Sequence, residues 1–259
     1  MERVLETIVE RSRPELEAAK RHVPASELRR RIADAPPVRD FTGSLRKPGL
    51  RVIAELKAAS PSKGVIRLPL EVELLAAELE AAGAAALSVL TERNFFLGGL
   101  ENLERARKAT DLPLLRKDFL YDEYQLLEAR AAGADAVLLI AAMLSEAEFR
   151  TLHACAESLD LAVLCEAHTR EELEMLASNG ARIIGINARN LSTFDTSLDR
   201  VAELIQRVPE RCVAVGESAI RERADLLRLH ELGAQAFLIG ETLMRAPSPG
   251  RKLCELLSK

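Results

Sequence analysis

Short apolar runs alternate with longer segments of helical period along most of the chain, and this alternation constrains the fold more than any other feature. Runs rich in Val, Ile and Leu are typical of buried strands. Eight strand candidates follow one another, beginning near Arg51, Ala84, Pro113, Ala136, Leu161, Arg182, Cys212 and Ala236. Because consecutive parallel strands need crossover helices, eight such units predict an α/β fold, a closed (β/α)8 TIM barrel.

A sequence repeat with a period of about 50 residues supports this count. The segments that begin at Ala81, Ala131, Ser178 and Glu231 each place a Gly after a helix pattern and an apolar run just beyond it. A Gly at this position is typical of the left-handed residue that ends a helix. The repeat therefore marks every second strand–helix unit and predicts four pairs of units.

The first part of the chain falls outside this pattern. Residues 1–48 are expected to form an amino-terminal helical extension, and residues 49–259 the barrel, within a single structural domain. Leu5, Ile8 and Leu16 fit one face of an amphipathic helix. A second, shorter helix is expected to follow before a Pro-rich stretch.

The sequence leaves open where this extension packs. It could close the amino end of the barrel as a plug, with no part in the chemistry. Alternatively, it could fold over the carboxyl ends of the strands, where Arg21, Arg46 and Lys47 would add positive charge.

Composition excludes several classes of function. The chain has 259 residues and a formal net charge of −4, with no basic block interleaved with aromatic residues, so nucleic acid is not an expected partner. No apolar run approaches the roughly 18 residues of a membrane span, and the amino terminus is charged, so we expect no membrane contact and a cytoplasmic location. The four Cys and four His residues show no metal-ligand spacing, so no metal is expected. The expected oligomeric state is a monomer or a weak homodimer.

Charged and polar side chains stand where the strand-like runs end. Because the carboxyl ends of parallel barrel strands share one rim, these groups are predicted to converge there and form an active site. They are Glu55, Lys57, Lys117, Glu166, Asn187, Arg189, Glu217 and Ser218.

The buried position of these groups predicts their chemistry. An uncompensated buried ammonium is costly, so Lys57 predicts an anionic ligand or a carboxylate partner, and an ion pair with Glu55 is the alternative. Lys117, among apolar groups and other cations, is predicted to have a lowered pKa and to act as a proton donor or Schiff-base nucleophile, unless it is a solvated lysine. Burial is predicted to raise the pKa of Glu166. We interpret His168 as a structural hydrogen-bonding residue.

Other strand ends suit an anionic ligand that carries a phosphate. Arg189 can bind a carboxylate or phosphate with two parallel hydrogen bonds, and Asn187 can both donate and accept. Turns rich in Gly and Ser follow the first, seventh and eighth strand candidates, at residues 60–64, 216–218 and 240–242. Barrels often hold phosphate with the loops after their last two strands, so the predicted partner is a small anionic sugar phosphate.

Seven motifs between Leu50 and Arg245 carry a resemblance to a known family: ELKAASPSKG, LTERNFFLGGLENL, LLRKDF, LCEAHT, GINARNL, VGESAI and FLIGETLMR. In this order they resemble the indole-3-glycerol phosphate synthases of tryptophan biosynthesis, which also have an amino-terminal helical extension. The resemblance implies a carboxy-lyase without a cofactor. Such an enzyme closes the pyrrole ring of 1-(2-carboxyphenylamino)-1-deoxyribulose 5-phosphate and releases carbon dioxide and water.

The resemblance also implies a role for individual residues. Lys117, Lys57 and Glu166 match the catalytic positions. The substrate-binding positions are Glu55, Asn187, Arg189, Glu217, Ser218, Phe96, Phe119 and Leu138, of which the last three form an apolar wall for the anthranilate ring. The phosphate-binding positions are Ser60, Lys63, Ser218, Ala219, Gly240 and Glu241. Ala219 stands where Gly is usual and Glu241 where many members have Ser, so backbone N–H groups should bind the phosphate and the Glu241 carboxylate should turn away.

Charge then suggests a mechanism and its rivals. Lys57 and Arg189 would neutralise the substrate carboxylate, a lysine acid would protonate the ribulose carbonyl oxygen, and Glu166 would assist dehydration. Lys117 is favoured as the lysine acid, and the sequence leaves Lys57 open as the alternative. One rival is another phosphate-binding barrel enzyme, either similar to phosphoribosylanthranilate isomerase or a Schiff-base aldolase that uses Lys117. A non-catalytic barrel that binds phosphometabolites is the other rival, and the presence of two lysines and a glutamate at strand ends argues against it.

Overall fold

The computed structural model describes residues 2–187 and 197–258, and eight parallel strands of this part close into a barrel. The barrel strands are β1 (Arg51–Leu56), β2 (Ala86–Leu90), β3 (Leu114–Lys117), β4 (Ala136–Ile140), β5 (Ala162–Ala167), β6 (Ile183–Ile186), β7 (Val213–Gly216) and β8 (Ala236–Ile239). Each strand pairs with its neighbours in the chain, and β8 pairs with β1. The predicted TIM barrel is confirmed.

Helices surround the barrel and precede it. Those before β1 are α1 (Glu2–His22), α2 (Ala25–Ala33) and α3 (Phe41–Arg46). Those that follow successive strands are α4 (Val72–Ala81), α5 (Leu100–Ala109), α6 (Glu123–Ala131), α7 (Glu146–Ser158), α8 (Arg170–Ser178), α9 (Leu198–Ile205), α10 (Arg223–Glu231), α11 (Glu241–Met244) and α12 (Pro249–Leu257). Across residues 2–187 and 197–258, no helix combines the length and apolar character that a membrane span requires.

The glycines of the sequence repeat end helices as predicted. Gly83, Gly133, Gly180 and Gly233 have φ angles of 91°, 90°, 87° and 109° and lie in the left-handed region. A residue with a β-carbon would cost roughly 1–2 kcal/mol in this conformation. The repeat therefore reflects a backbone requirement between helix and strand, as inferred from the sequence.

The period of the strands decides which side chains enter the barrel. Ile53, Leu115 and Leu164 belong to a buried cluster in the barrel interior. Because alternate residues of a strand face the same side, the side chains two positions later also point inward, one layer closer to the carboxyl ends. Those side chains are Glu55, Lys117 and Glu166.

Helix α3 closes the amino end of the barrel. Phe41 and Leu45 are fully buried and join the interior cluster, which includes residues at the start of β6, β7 and β8. Arg46 Nη2 donates a hydrogen bond to the backbone oxygen of Arg211, 3.4 Å away, just before β7 begins. The expectation that Arg46 adds charge to the catalytic rim is wrong, because the helix that carries it lies at the other end of the barrel.

Helix α1 lies over the carboxyl ends of the strands. Leu5 and Ile8 are buried there and line the main cavity. Farther along, Tyr124 Oη of α6 donates hydrogen bonds to the backbone oxygens of Ala19 (3.0 Å) and Val23 (2.7 Å). Both placements that the sequence left open therefore occur, in different parts of one extension.

Candidate functional site

A cavity of about 440 Å³ opens at the carboxyl ends of the barrel strands. It is lined by every predicted site residue of the described part of the chain: Glu55, Lys57, Ser60, Lys63, Phe96, Lys117, Phe119, Leu138, Glu166, Asn187, Glu217, Ser218, Ala219, Gly240 and Glu241. Arg189, also predicted, lies outside the described residues. The strand ends therefore converge on one cavity.

Some residues of the cavity wall were not predicted from the sequence to belong to the site. Leu5 and Ile8 contribute an apolar surface from α1. Asp118, Arg221 and Arg245 also line the cavity. The amphipathic pattern of α1 indicated a buried face but not its partner, and the two arginines come several residues after their strands, where no strand-end signal exists.

An ion pair between Lys117 and Glu166 lies at the centre of the site. Lys117 Nζ is 3.2 Å from Glu166 Oε2, although β3 and β5 are not adjacent strands. The other carboxylate oxygen, Oε1, accepts a hydrogen bond from Asn187 Nδ2 at 3.0 Å. Asn187 Oδ1 in turn accepts a hydrogen bond from Ser218 Oγ at 2.6 Å. The two oxygens of Glu166 thus have different partners, which fixes the orientation of the carboxylate.

The environment of Lys117 differs from the one inferred from its strand. Burial by itself would lower the pKa of Lys117, but the acidic groups around it, above all the carboxylate of Glu166, outweigh burial and raise the pKa above its ordinary value. The predicted lowering is wrong, because the groups around the ammonium come from other strands and are acidic. Lys117 therefore carries a proton at neutral pH. This disfavours a Schiff-base role, which requires a neutral amine.

Two buried carboxyl groups of the site have opposite protonation states. Burial alone would raise the pKa of Glu166, but Lys117, His168 and Asn187 outweigh it and lower the pKa. Burial and the neighbouring carboxylate of Glu166 raise the pKa of Glu217 well above 4.5. The prediction of a raised pKa for Glu166 is wrong, because a cation and two donors compensate its charge. Glu166 is ionised, and Glu217 is the carboxyl group that stays neutral.

Two glycines make room for these charged side chains. A β-carbon at Gly185 would overlap Glu217 Oε1, which is buried and has no hydrogen-bond partner within residues 2–187 and 197–258. A β-carbon at Gly240 would overlap Glu55 Oε1 and approach Lys57 Nζ to 2.9 Å. The backbone therefore comes close to the acidic groups of the site at both positions.

Lys57 and Glu55 form an ion pair at the end of β1. Lys57 Nζ and Glu55 Oε1 are 2.5 Å apart, and the side chains are 14% and 4% exposed. The ion pair that the sequence offered as an alternative to ligand binding is thus present. Both residues also line the cavity, so the pair is accessible to an anion that competes for the ammonium.

Phe96, Phe119 and Leu138 line an apolar part of the cavity. The rings of Phe96 and Phe119 have centroids 6.0 Å apart and are tilted by 45°. The buried carboxylate of Glu92 accepts three consecutive backbone N–H bonds, the last from Phe96 at 3.0 Å. The N–H of Phe119 is bound at 2.9 Å by Asp118 Oδ1. The loops that carry the two rings are therefore fixed before any ligand arrives.

A buried arginine supports the loop after β3 from the outer side of the barrel. The guanidinium of Arg116 donates to the backbone oxygen of Gln125 (2.7 Å), Thr91 Oγ1 (3.1 Å) and Asp118 Oδ2 (3.1 Å). Because Arg116 precedes Lys117 in the strand, it faces the helix layer while Lys117 faces the cavity. The sequence gave no sign of this support, since two of the three partners come from other units, Thr91 just after β2 and Gln125 in α6.

Three loops meet where phosphate binding was predicted. Residues Ala59–Ser60 and Gly64–Val65 form a short hairpin after β1 that brings Ser60 and Lys63 to the cavity. After β7, Ser218 and Ala219 have φ angles of 81° and 61°. Thr242 Oγ1 donates to the backbone oxygen of Ile220 at 2.6 Å and so joins the loops after β7 and β8.

Two positions at which the family pattern varies have clear structural consequences. Ala219 adopts the left-handed conformation that favours glycine, at a cost of roughly 1–2 kcal/mol. Glu241 Oε1 accepts a hydrogen bond from Arg245 Nε at 2.9 Å, one turn farther along the chain. The Glu241 carboxylate therefore has a cationic partner at the cavity wall.

Within the described residues, no group of three His, Cys, Asp or Glu side chains is arranged to hold a metal ion.

Comparisons with known proteins agree on one family. Residues 5–256 match the family model described as indole-3-glycerol phosphate synthase. A protein of that name from Koribacter versatilis is 46% identical over 260 residues, which cover 99% of this chain and 100% of the relative. Another from Alkaliphilus metalliredigens is 44% identical over 256 residues, which cover 98% of each.

Solved structures of distant proteins share the fold alone. A 3-hexulose-6-phosphate synthase from Salmonella typhimurium superposes with a TM-score of 0.63 at 12% identity, covering 80% of this chain and 98% of its own. A mutant tryptophan synthase alpha-subunit from Pyrococcus furiosus gives 0.63 at 15% identity, covering 81% and 98%. These likenesses support the barrel architecture.

The neutral state of Glu217 predicts a pH-dependent gain of stability for Glu217→Gln. The pKa of Glu217 is higher in the folded protein than in the unfolded chain. The contribution of Glu217 to the free energy of unfolding is therefore fully present below about pH 4.5 and is lost as the pH rises through the folded-state pKa. The introduced glutamine does not titrate, so the variant does not lose stability in this way. Between pH 5 and pH 8 the free energy of unfolding of Glu217→Gln should therefore rise by on the order of 1 kcal/mol or more relative to that of the wild type. Denaturant unfolding at several pH values measures the difference.

Glu104→Gln is the matched control, since Glu104 is exposed on α5. Its stability relative to the wild type should vary little over the same pH range. A Glu217→Gln difference that stays constant between pH 5 and pH 8 would show that Glu217 is ionised in the folded protein.

Proposed function

The chain belongs to the indole-3-glycerol phosphate synthase family, and from this membership we propose which of its residues carry out the reaction. The activity is that of a carboxy-lyase, which closes the pyrrole ring of the carboxyphenylamino-deoxyribulose phosphate with loss of carbon dioxide and water. One observation carries the proposal: the Lys117–Glu166 contact lies in a cavity that is also lined by apolar side chains and by the loops after β1, β7 and β8. An acid and a base therefore stand where such a substrate fits.

The chemistry of the cavity wall orients the substrate. The anthranilate ring packs against the apolar wall formed by the contacting rings of Phe96 and Phe119 and by Leu138. Its carboxylate then faces Lys57, which exchanges Glu55 for this new anionic partner. Arg189 is proposed to bind the same carboxylate, although it lies outside the described residues.

The phosphate binds among the loops that follow β1, β7 and β8. Lys63 supplies positive charge, and Ser60 and Ser218 supply hydroxyl groups. The backbone N–H groups of Ala219, Gly240 and Glu241 complete the site, since exposed N–H groups in this arrangement favour an anion. The Glu241–Arg245 pair keeps the carboxylate compensated beside the phosphate.

Ring closure needs an acid, and Lys117 meets the requirement. The aromatic carbon that bears the carboxylate attacks the ribulose carbonyl carbon, and the carbonyl oxygen takes the proton of the Lys117 ammonium. The surrounding carboxylates ensure that this proton is present at neutral pH. Breaking the bond to carbon dioxide then returns its electron pair to the ring and neutralises the iminium nitrogen. The ring becomes aromatic again without a cofactor.

Dehydration needs a base, and Glu166 is ionised in the resting protein. It takes a proton from the carbon between nitrogen and the carbinol carbon. The hydroxyl group leaves as water with a proton from an acid of the site. Lys57 is the less favourable acid for ring closure, because its ammonium is already paired with the substrate carboxylate. Asn187 and Glu55 are proposed to bind hydroxyl groups of the sugar.

We also propose that residues 1–48 work as part of the same domain as residues 49–259. Leu5 and Ile8 complete the apolar wall of the cavity, while Phe41 and Leu45 fill the opposite end of the barrel. These contacts support an extension that packs against both ends of the barrel. Helix α1 would then contribute to substrate binding.

Loss of either proton-transfer group should abolish most turnover without unfolding the protein. Lys117→Ala and Glu166→Gln should each lower kcat by about 100-fold or more, the range typical of lost acid–base catalysis. Lys108→Ala and Glu104→Gln make the same changes at exposed positions of α5 and should keep wild-type rates. Indole fluorescence measures product formation from the carboxyphenylamino-deoxyribulose phosphate. Near-normal turnover in a purified, folded Lys117 or Glu166 variant refutes the role of that residue.

Loss of Lys63 should affect binding more than chemistry. The phosphate does not react, so Lys63→Met should raise KM by about tenfold while kcat changes little. Competitive inhibition by inorganic phosphate should weaken in parallel. The control is Lys108→Met on α5. Unchanged KM and unchanged inhibition by phosphate would place the phosphate away from the β1 hairpin.

A further inference from the structure

His168 lies two residues after Glu166, and its imidazole is buried between two carboxylates. Nε2 is 3.3 Å from Glu166 Oε1, and Nδ1 is 3.5 Å from Glu172 Oε2, with the side chain only 3% exposed. Within residues 2–187 and 197–258, neither ring nitrogen makes a hydrogen bond of good geometry. The reaction proposed above assigns no role to this ring.

The two carboxylates decide the charge of the ring. A neutral imidazole has one donor and one acceptor nitrogen, and an acceptor that faces a carboxylate oxygen is repelled. Only the imidazolium presents a donor on both sides. Its position between Glu166 and Glu172 therefore favours the protonated form, although burial opposes it.

Glu172 is itself held firmly at the start of α8. Its Oε2 accepts the backbone N–H of His168 at 2.6 Å, and its own N–H donates to Thr169 Oγ1 at 3.2 Å. Other charged groups contact the backbone of His168 or the carboxylate of Glu166: Arg200 of α9 donates to the backbone oxygen of His168, and Lys117 and Glu217 interact with Glu166. The ring thus faces two acids directly.

We propose that His168 is a positioning residue, an imidazolium anchored by Glu172 that holds Oε1 of Glu166 and leaves Oε2 to Lys117 and the substrate. Together with Asn187, it makes the two oxygens of the base inequivalent. The assignment rests on the proposed role of Glu166 as the acid–base group. His168 would thereby connect Glu166 to Glu172 of α8, in the helix layer.

The charge balance agrees with this arrangement. Burial would lower the pKa of His168, but Glu166 and Glu172 outweigh it and raise the pKa to about 9. Burial would raise the pKa of Glu172, and His168 and backbone donors outweigh it in turn. His168 also contributes to the lowered pKa of Glu166.

NMR titration of the ring tests the anchoring without any assay of activity. The chain has four histidines, so His168→Asn identifies the resonance of His168 by its loss. In the wild type the ring should remain protonated at pH 7.5, and in Glu172→Gln its pKa should fall by about one unit or more. A ring that is neutral at pH 7.5, or one whose titration is the same in Glu172→Gln, overturns the proposal.

The pH dependence of turnover tests the effect on Glu166. In Glu172→Gln and His168→Asn, kcat should fall by at least about tenfold with KM nearly unchanged, because the base is less well oriented. The acid limb of kcat/KM should move to higher pH, since Glu166 loses a cation that keeps its proton off. Glu174→Gln, at an exposed position of the same helix, should keep the wild-type profile.

The outcomes separate this inference from the proposed function. A purely structural role for His168 would lower stability and leave the profile unshifted, and that result overturns the proposal. If Glu166→Gln retains normal turnover, the proposed function fails, whereas the titration of His168 still decides whether the ring is an anchored imidazolium. Should His168→Asn not fold, substitution of the other three histidines identifies the His168 resonance by elimination, and its titration in the wild type and in Glu172→Gln gives the answer.

Discussion

Moving an ammonium and a carboxylate out of water costs several kilocalories per mole for each ion, so such groups persist inside a protein only when they compensate each other. The Lys117–Glu166 pair satisfies this condition at the carboxyl end of the barrel, and the surrounding groups are arranged around it. Asn187 holds the second carboxylate oxygen, and Glu217 remains neutral and so adds no further charge. The same compensation supplies a proton on the lysine and a free base on the glutamate.

The geometry of the barrel explains why these two residues meet. Alternate residues of every strand enter the interior, and apolar residues such as Ile53, Leu115 and Leu164 fill the lower layers. On β1, β3 and β5 the next inward position carries a charged side chain, namely Glu55, Lys117 and Glu166. Strands that are not adjacent, such as β3 and β5, can therefore place side chains in contact across the barrel axis. Charge is concentrated in the one layer that opens to the cavity, where a ligand can reach it.

Strand period and strand ends made much of this predictable from the sequence. They indicated the barrel, the convergence of Lys57, Lys117 and Glu166, and the left-handed glycines. The pKa directions for Lys117 and Glu166 were predicted wrongly, because an ionisable group responds to neighbours across the barrel, and a strand shows only its own flanking residues. No pKa direction was predicted for Glu217, where burial and the neighbouring charge of Glu166 both raise the pKa.

The packing of the amino-terminal extension could not be predicted from the sequence, because it also depends on partners from other parts of the chain. The apolar face of α1 has the same pattern whether it covers a core or a substrate, so Leu5 and Ile8 gave no functional signal. Helix α3 is too short for a clear periodic pattern, yet Phe41 and Leu45 close the barrel. The apolar wall formed by Phe96, Phe119 and Leu138 followed from resemblance to the family, because no strand-end rule selects the two aromatic residues in loops.

Neutron diffraction from a deuterated crystal at neutral pH tests the central claim most directly, since it locates the exchangeable deuterons of the site. Unequal protonation of the buried carboxyl groups predicts three deuterons on Lys117 Nζ, one on the carboxyl group of Glu217 and none on Glu166. A neutral amine at Lys117, or a deuteron on Glu166 beside an ionised Glu217, would contradict this account of the site.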